Sequence, residues 1–297
     1  MRRRRVRDSP AVRPLIVRRF ASPMDTSSST QRLSPSPAPP AVMPAQQVLG
    51  IPLALTTYEH TLDWIDAAVA ARSRSYICVA AVHTVMASQE DPELRAAVLD
   101  ADFTVPDGQP LVWAMNLLGH NLSSRVYGPD LMDHACARAA RTGQRHYLYG
   151  GRSQGALVEL ARLLRLKHPG LKIVGGHAPP YRDLTADEDA AVIADIERCK
   201  PDVVWVGIGV PRQEKWMAKM RDRLSAPVLI GVGAAFDFHA GIVAQAPEPL
   251  QRVGLEWAFR LSQEPRRLWR RYWRYNPRFV IGFARQYARH LRSRLRG

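Results

Sequence analysis

From about residue 47 onward, short apolar runs alternate with longer stretches in which apolar residues have helical spacing. The runs are rich in Val, Ile and Tyr and are bounded by Gly or Pro, which is typical of buried strands. Strands are predicted at 76–82, 146–149, 172–174, 203–208 and 228–232. Helices are predicted at 61–72, 91–100, 109–118, 130–141, 154–167, 186–199 and 212–223. This alternation predicts an α/β, Rossmann-like domain, with a mostly parallel sheet covered by helices on both faces.

The segment 105–132 places a carboxylate, Asp107, between an apolar run and a helical pattern. In α/β proteins the loops that follow strands hold reactive groups out to a ligand, because the sheet fixes their ends. Asp107 is therefore a candidate functional residue. A structural explanation stays open, since Asp is a preferred N-cap and Asp107 stands just before the helix predicted at 109–118.

Glycine follows several predicted strands, and one such turn suits a phosphate group. In LYGGRSQGA, Gly150 and Gly151 stand between a strand and a helix, where backbone N–H groups and the helix dipole favour an anion. The spacing is not GxGxxG, and Lys172 and Val174 occupy the region where a dinucleotide-binding protein has an acidic residue. A nucleotide-sugar-modifying, NAD-dependent enzyme is therefore disfavoured, but it remains the enzymatic alternative.

The turn VGIGVPRQEKW predicts a helix that begins near Pro211. Proline at the first helical position, with Glu214 in the first turn, is an ordinary helix start. The alternative is a binding loop in which Gln213 offers a neutral hydrogen bond to a ligand. The sequence leaves both interpretations open.

The net charge of +15 lies in the two ends of the chain. Residues 1–24 carry +7 and residues 260–297 carry +11, whereas residues 47–259 carry −3. A nucleic-acid-binding protein would explain the basic ends through phosphate contacts. It would not explain a mildly acidic body with glycine-lined strand ends. We therefore expect no nucleic-acid partner.

Residues 1–46 are predicted to be a disordered extension, basic at first and then rich in Ser and Pro, because they have too few bulky side chains to offset the cost of ordering. The start MRRRR lacks the apolar region of a secretory signal, and Met24 and Met43 are alternative starts. The three cysteines have no paired spacing, which suits a reducing compartment and argues against a zinc site. No run reaches the roughly 18 apolar residues of a spanning helix, so we expect a cytoplasmic protein that is soluble or peripheral at the membrane.

Residues 264–297 combine arginine with aromatic residues at helical spacing. Two amphipathic helices are predicted, over 266–275 and 278–296, interrupted at Pro277. An apolar face with Trp and Tyr beside an Arg face suits an anionic bilayer, so we predict a membrane-associating tail on the inner face of the cell membrane. The alternative is a helix packed on the α/β domain (residues 47–263), which is the interpretation favoured for 257–263.

Six motifs stand in one order: PDGQPLVW with RVYGPDLM, LYGG, VGIGVPRQEKW, GVGAAFDFHAG and APEPLQRVGLEWAFRLSQEPRRLWRRY. Over about residues 48–275 this order resembles the WecG/TagA/CpsF family of bacterial glycosyltransferases. Members transfer a sugar from a UDP-sugar to a polyprenyl-diphosphate-linked acceptor during surface-polysaccharide assembly. The resemblance implies an inverting hexosyltransferase with no cofactor and no metal-binding Asp-x-Asp. The acidic triplets at 100–102 and 187–189 fall in helical patterns.

The same resemblance implies roles for individual residues. Asp107 matches the family's proposed general base, which takes the proton of the acceptor hydroxyl. Arginines of the pocket and of the tail would hold the leaving diphosphate. Asp237 is a candidate for the uracil or ribose, with a buried structural carboxylate as the alternative. The predicted substrate-binding set is Arg125, Gly150, Gly151, Gln213, Asp237, Arg260, Arg267, Arg270 and His83.

The end of the strand predicted at 76–82 departs from the family pattern. Many relatives carry a Thr and an Asn near the sugar, where this chain has Val79 and Ala81, followed by His83. A loop histidine is commonly only solvated, so His83 is a sugar contact or a surface residue. The donor sugar therefore stays open among N-acetylmannosamine, a plain hexose such as glucose, and a uronic acid. The acceptor glycan and a homo-oligomeric state are also left open.

Overall fold

The computed structural model describes residues 40–295, so most of the extension predicted at 1–46 lies outside the described residues. The described strands are β1 (Ala45–Val48), β2 (Ile51–Ala54), β3 (Ser75–Ala80), β4 (Phe103–Pro106), β5 (Arg145–Gly150), β6 (Lys172–His177), β7 (Val203–Gly207) and β8 (Val228–Gly231). The described helices are α1 (Tyr58–Ala70), α2 (Val82–Ala87), α3 (Pro92–Leu99), α4 (Gln109–Leu117), α5 (Gly128–Thr142), α6 (Gln154–Lys167), α7 (Ala186–Cys199), α8 (Arg212–Arg221), α9 (Ala235–His239), α10 (Glu248–Arg252), α11 (Glu256–Gln263) and α12 (Pro265–Arg294).

Six strands form one parallel sheet in the order β4-β3-β8-β7-β5-β6. Strands β3, β4 and β8 are buried along their whole length, because helices cover both faces of the sheet. Successive residues of β3 serve opposite faces: Tyr76 and Cys78 pack in one core, Ile77 and Val79 in the other. The predicted α/β, Rossmann-like architecture is confirmed.

All six strands of this sheet end at the same edge, so the loops after β3, β4, β5, β7 and β8 converge there. Strand β4, which is absent from the predicted strands, is short and is an outermost strand of the sheet. Asp107 follows it directly. The hairpin β1–β2 was also not predicted. Its turn is made by Leu49 and Gly50, both at positive φ (49° and 75°). The dipeptide Leu-Gly is not one of the usual hairpin signals, such as Asn-Gly.

Two predictions near this edge need correction. The strand predicted at 76–82 ends at Ala80, and Val82 begins α2, so His83 lies in a helix and not in a loop. The acidic pair at 100–102 is not helical: Asp102 lies in the turn before β4, where its Oδ2 accepts from Tyr76 N at 2.9 Å. That turn is at the amino end of β4, away from the converging loops. The triplet at 187–189 does lie in the first turn of α7, as predicted.

The C-terminal segment forms one helix, α12, that continues through Pro277, so the predicted interruption is wrong. Pro277 is exposed, and the helix is held on both sides of it. On one side Arg274 pairs with Glu90 at 2.7 Å. On the other, Gln286 accepts from Leu49 N at 2.8 Å. Packing against the α/β domain therefore offsets the loss of one helical hydrogen bond.

Several apolar side chains along α12 and directly after it are exposed to solvent. Trp269, Trp273, Val280, Ile281 and Leu295 are all more than half exposed. Among the helices of residues 40–295, none combines the length and hydropathy needed to span a membrane.

Candidate active site

A cavity of about 1000 Å³ opens where the strand ends converge. Its walls come from the loops after β3, β4, β5, β7 and β8, and from α11 and α12, which close over it. This volume is at the upper end of the roughly 300–1000 Å³ of typical ligand pockets. The cavity therefore has room for more than one small substrate group.

Asp107 lies in this cavity, directly after β4. Its backbone N–H donates to Ala80 O at 2.8 Å, which extends the β3–β4 ladder by one residue. Helix α4 begins after Gly108 and has no side-chain cap, so the N-cap explanation for Asp107 does not hold. Instead, Asp107 Oδ1 accepts from Gly128 N at 2.7 Å, at the start of α5. The carboxylate is thus anchored by two elements and half-buried.

The surroundings of Asp107 raise its pKa from 3.8 to about 6. Burial is the largest cause, and the negative charge of Glu256 acts in the same direction. The charges of Arg125 and Arg260 and the N–H of Gly128 oppose them. A carboxylate with a pKa near 6 is ionised at neutral pH and is a stronger proton acceptor than an ordinary Asp.

Arg125 contacts other residues of the cavity wall. Its Nη2 lies 2.6 Å from Glu256 Oε2 and donates to Gln251 at 2.9 Å, and its guanidinium lies 4.0 Å from the ring centroid of Tyr127. The pair with Glu256 joins the α4–α5 loop to α11 across more than a hundred residues of sequence. No sequence pattern indicates a role for Glu256, although it stands in the segment GLEW.

Three arginines of the C-terminal helices line the cavity: Arg260, Arg267 and Arg271. Arg267 pairs with Glu264. The Nε atoms of Arg260 and Arg271 are buried and find no hydrogen-bond partner within the described part of the chain. Burial lowers the pKa of Arg271 from its usual value. Arg270, the predicted site residue, is exposed and stacks over the neighbouring Trp269 outside the lining.

His83 lies in the cavity wall beside these arginines. Burial and the charges of Arg271 and Arg260 hold its pKa well below 6.5. The imidazole is therefore neutral at physiological pH and offers one N–H donor and one acceptor nitrogen.

The two glycines of the predicted phosphate-binding turn have different roles. Gly150 has a φ of +139°, and a Cβ added there would lie 2.5 Å from the Gly207 backbone, so it serves close packing of β5 on β7. Gly151 lines the cavity, but its N–H donates to Gly207 O at 3.2 Å and is not free for an anion. Ser153 caps α6 by accepting from Ala156 N.

Asp237, in α9, also lines the cavity and is held by Arg152. The Arg152 Nε and Nη2 atoms donate to its two carboxylate oxygens at 3.1 and 3.0 Å. Arg152 Nη2 lies 3.6 Å from Glu264 as well, so this cluster joins the β5–α6 loop, α9 and the start of α12.

Gln213 presents an unpaired acceptor at the cavity. It is 2% exposed, and its Nε2 donates to Glu214 Oε1 at 2.8 Å, which turns its Oε1 away from Glu214. Oε1 is buried and without a hydrogen-bond partner among residues 40–295. Burial raises the pKa of Glu214 to about 7. Since an unpaired buried acceptor is costly, this position suits a ligand N–H or O–H group.

Across residues 40–295, no three His, Cys, Asp or Glu side chains come together as a metal-binding group. The charged side chains that line the cavity are the carboxylates of Asp107, Asp237, Glu256 and Glu264 and the guanidinium groups of Arg125, Arg152, Arg212, Arg260, Arg267 and Arg271.

Comparison with known proteins identifies the family to which the chain belongs. The sequence matches the Glycosyl transferase WecG/TagA/CpsF family over residues 46–293. An N-acetylglucosaminyldiphosphoundecaprenol N-acetyl-beta-D-mannosaminyltransferase of Bacillus spizizenii is 33% identical over 184 residues, which is 62% of this chain and 69% of the relative. An enzyme of the same name from Bacillus subtilis is 30% identical over 213 residues, 72% of this chain and 78% of the relative. The chain therefore belongs to the WecG/TagA/CpsF family and is a glycosyltransferase.

Proposed function

We propose that the protein transfers a hexosyl-type sugar from a UDP-sugar to a polyprenyl-diphosphate-linked saccharide, with inversion, in cell-surface polysaccharide synthesis. The observation that carries this proposal is the anchored carboxylate of Asp107, with its raised pKa, in one cavity with Arg260, Arg267 and Arg271. A base and a set of cations are the two requirements for this chemistry. Both relatives are named for transfer to a diphosphoundecaprenol-linked acceptor.

In the proposed step, Asp107 takes the proton of the acceptor hydroxyl while that oxygen bonds to the anomeric carbon of the donor. The bond from this carbon to the diphosphate oxygen breaks, and UDP leaves with the electron pair. Oδ1 is held by Gly128 N, so Oδ2 is the oxygen that receives the proton. Arg260, Arg267 and Arg271 compensate the negative charge that grows on the leaving diphosphate, and no metal ion is needed for it.

Recognition of the donor's nucleoside and sugar is assigned to residues that follow β5, β7 and β8. Gln213 Oε1 accepts from the nucleotide base or the sugar, and the Arg152–Asp237 pair faces the nucleoside. Val79 and Ala81 line the sugar position without a side-chain hydrogen-bonding group. Val79 and Ala81 therefore do not select N-acetylmannosamine over a plain hexose or a uronic acid.

A donor panel tests this function. The protein is incubated with a polyprenyl-diphosphate-linked saccharide and UDP-N-acetylmannosamine, UDP-glucose or UDP-glucuronic acid, with and without EDTA. We expect one donor to add a single sugar to the lipid, seen as a mass increase, at a rate that EDTA leaves unchanged. If no donor in the panel extends the lipid, the proposed reaction is contradicted.

The raised pKa of Asp107 predicts a pH dependence. Only the ionised carboxylate accepts a proton, so kcat/KM is expected to rise about tenfold per pH unit at low pH and to level off above about pH 6. His83 is already neutral in this pH range, so it adds no second pH-dependent change in kcat/KM. A rate that stays constant from about pH 5 to 8 would argue against Asp107 as the base.

We also propose that α12, the described part of the 264–297 tail, attaches the protein to the cytoplasmic face of the membrane. Exposed Trp269 and Trp273, together with exposed arginines of the same helix, provide the apolar and basic groups that an anionic bilayer binds.

A further inference from the structure

The cavity extends beyond the candidate catalytic centre along α12. The side chains of α12 that line it recur at intervals of three or four residues, and at three of these steps two adjacent residues line it, so they form one broad stripe on the helix. At 1.5 Å per residue, the stripe spans about 24 Å from Arg271 to Tyr287. Its members are Arg267, Arg271, Tyr272, Asn276, Phe279, Val280, Phe283, Ala284 and Tyr287.

The chemistry of this stripe changes along its length. The two arginines lie at the end that adjoins Arg260 and Asp107, and from Phe279 onward the stripe has no charged residue. Its floor is an aromatic stack: Phe279 lies 6.1 Å from Phe283, which lies 6.2 Å from Tyr287. Phe279 and Phe283 are buried, so this floor is fixed by the core of the domain.

Helix α4, whose buried side chains belong to the same hydrophobic core as Phe279 and Phe283, contributes further apolar side chains to this cavity. Trp113 and Leu117 line it and are 47% and 53% exposed, and Val280 on the α12 side is 64% exposed. A continuous surface of solvent-exposed apolar side chains marks a binding site for an apolar group. A nucleotide-sugar has no extended hydrocarbon part that matches this surface.

We propose that this groove between α4 and α12 binds the first isoprene units of the acceptor's polyprenyl chain, with the acceptor diphosphate at the arginine end, next to the donor diphosphate that the same arginines hold. The order of groups along the groove, cationic and then apolar, is the order of diphosphate and hydrocarbon in such an acceptor. The inference rests on the proposed function, because it assigns a subsite to the acceptor of that reaction. Hydrocarbon binding at a distance from Asp107 would hold the saccharide hydroxyl close to the base.

Two neighbouring residues of α12 provide the test. Val280 lines the groove, whereas Ile281 is similarly exposed (52%) but lies outside it. Val280→Asp and Ile281→Asp each add one charge and remove one exposed apolar side chain. Both variants are assayed in detergent with the long-chain acceptor and with the same saccharide diphosphate on a short, water-soluble chain.

For Val280→Asp, we expect the ratio of kcat/KM for the long acceptor to that for the short acceptor to fall about tenfold, close to the contribution of one buried apolar side chain. For Ile281→Asp, the ratio should stay within about twofold of the wild type. An equal fall in both variants would show that α12 acts through general contact with the lipid phase, and this would overturn the subsite. An unchanged ratio in both would overturn it as well.

A binding experiment separates this inference from the proposed function. A photoreactive polyprenyl diphosphate, added without donor, should crosslink to peptides containing residues 109–117 and 276–287, with a lower yield in Val280→Asp than in Ile281→Asp. Crosslinks confined to other peptides would overturn the subsite. If the wild type transfers no sugar to either acceptor but crosslinks as expected, the proposed reaction is wrong and the lipid groove stands.

Discussion

Replacing Asp107 by Asn is expected to lower kcat by about 10²- to 10⁴-fold, the usual contribution of a general base. The amide oxygen of Asn can still accept from Gly128 N, so the loop and the start of α5 keep their structure. The amide cannot take a proton from the acceptor hydroxyl. Affinity for UDP, measured by calorimetry, should therefore stay close to that of the wild type while turnover is lost.

Asp130→Asn is the matched control for this variant. Asp130 lies in the first turn of α5 and accepts from Tyr58 at 3.3 Å, outside the cavity lining. The same change of carboxylate to amide there should leave kcat within about threefold of the wild type. If Asp107→Asn retained comparable turnover, the general-base assignment would be wrong.

Arg271→Gln is expected to lower kcat about 10²-fold, because a charge-assisted hydrogen bond to the leaving diphosphate contributes about 1.5–3 kcal/mol. Arg271 lines the cavity, and its Nε is buried without a partner in the described region. Glutamine keeps much of the side-chain volume and removes the charge. Steady-state kinetics with saturating donor and acceptor measure the effect.

Arg270→Gln is the control, since it removes the same group one residue away. Arg270 is exposed and stacks on Trp269, so its loss should change kcat by about threefold or less. The family resemblance implies the opposite order of the two losses in kcat, because it places Arg270 at the diphosphate. A larger loss in Arg270→Gln than in Arg271→Gln would favour that order and contradict the structural assignment.

The sheet could be predicted from the sequence because its central strands are buried on both faces, which requires continuous apolar runs such as YICVAA and VVWVG. Asp107 could be identified because it ends a run that is followed by a glycine and a helix. Helix α12 was predicted as two helices because local rules let Pro277 end a helix. Contacts of Arg274 and Gln286 with distant parts of the domain decide otherwise.

The features of the site that could not be predicted from the sequence depend on contacts between residues far apart in the chain. Arg125 was predicted as a phosphate contact, but its pairing with Glu256 brings together residues that are far apart in the chain. Arg270 and Arg271 are adjacent residues of one type, and only the packing of α12 decides which of them faces the cavity. No local pattern indicates that apolar side chains of α4 and α12 line the same cavity.

The central claim is that one cavity brings a UDP-sugar and a polyprenyl-diphosphate-linked acceptor together over Asp107. The most direct measurement of it is UDP release from the donor identified by the panel, with and without the lipid acceptor, for the wild type and for Asp107→Asn. We predict rapid release by the wild type only when the acceptor is present, and a release by Asp107→Asn that is at least about 10²-fold slower. Release at the same rate without acceptor, or equally rapid release by Asp107→Asn, would contradict the account.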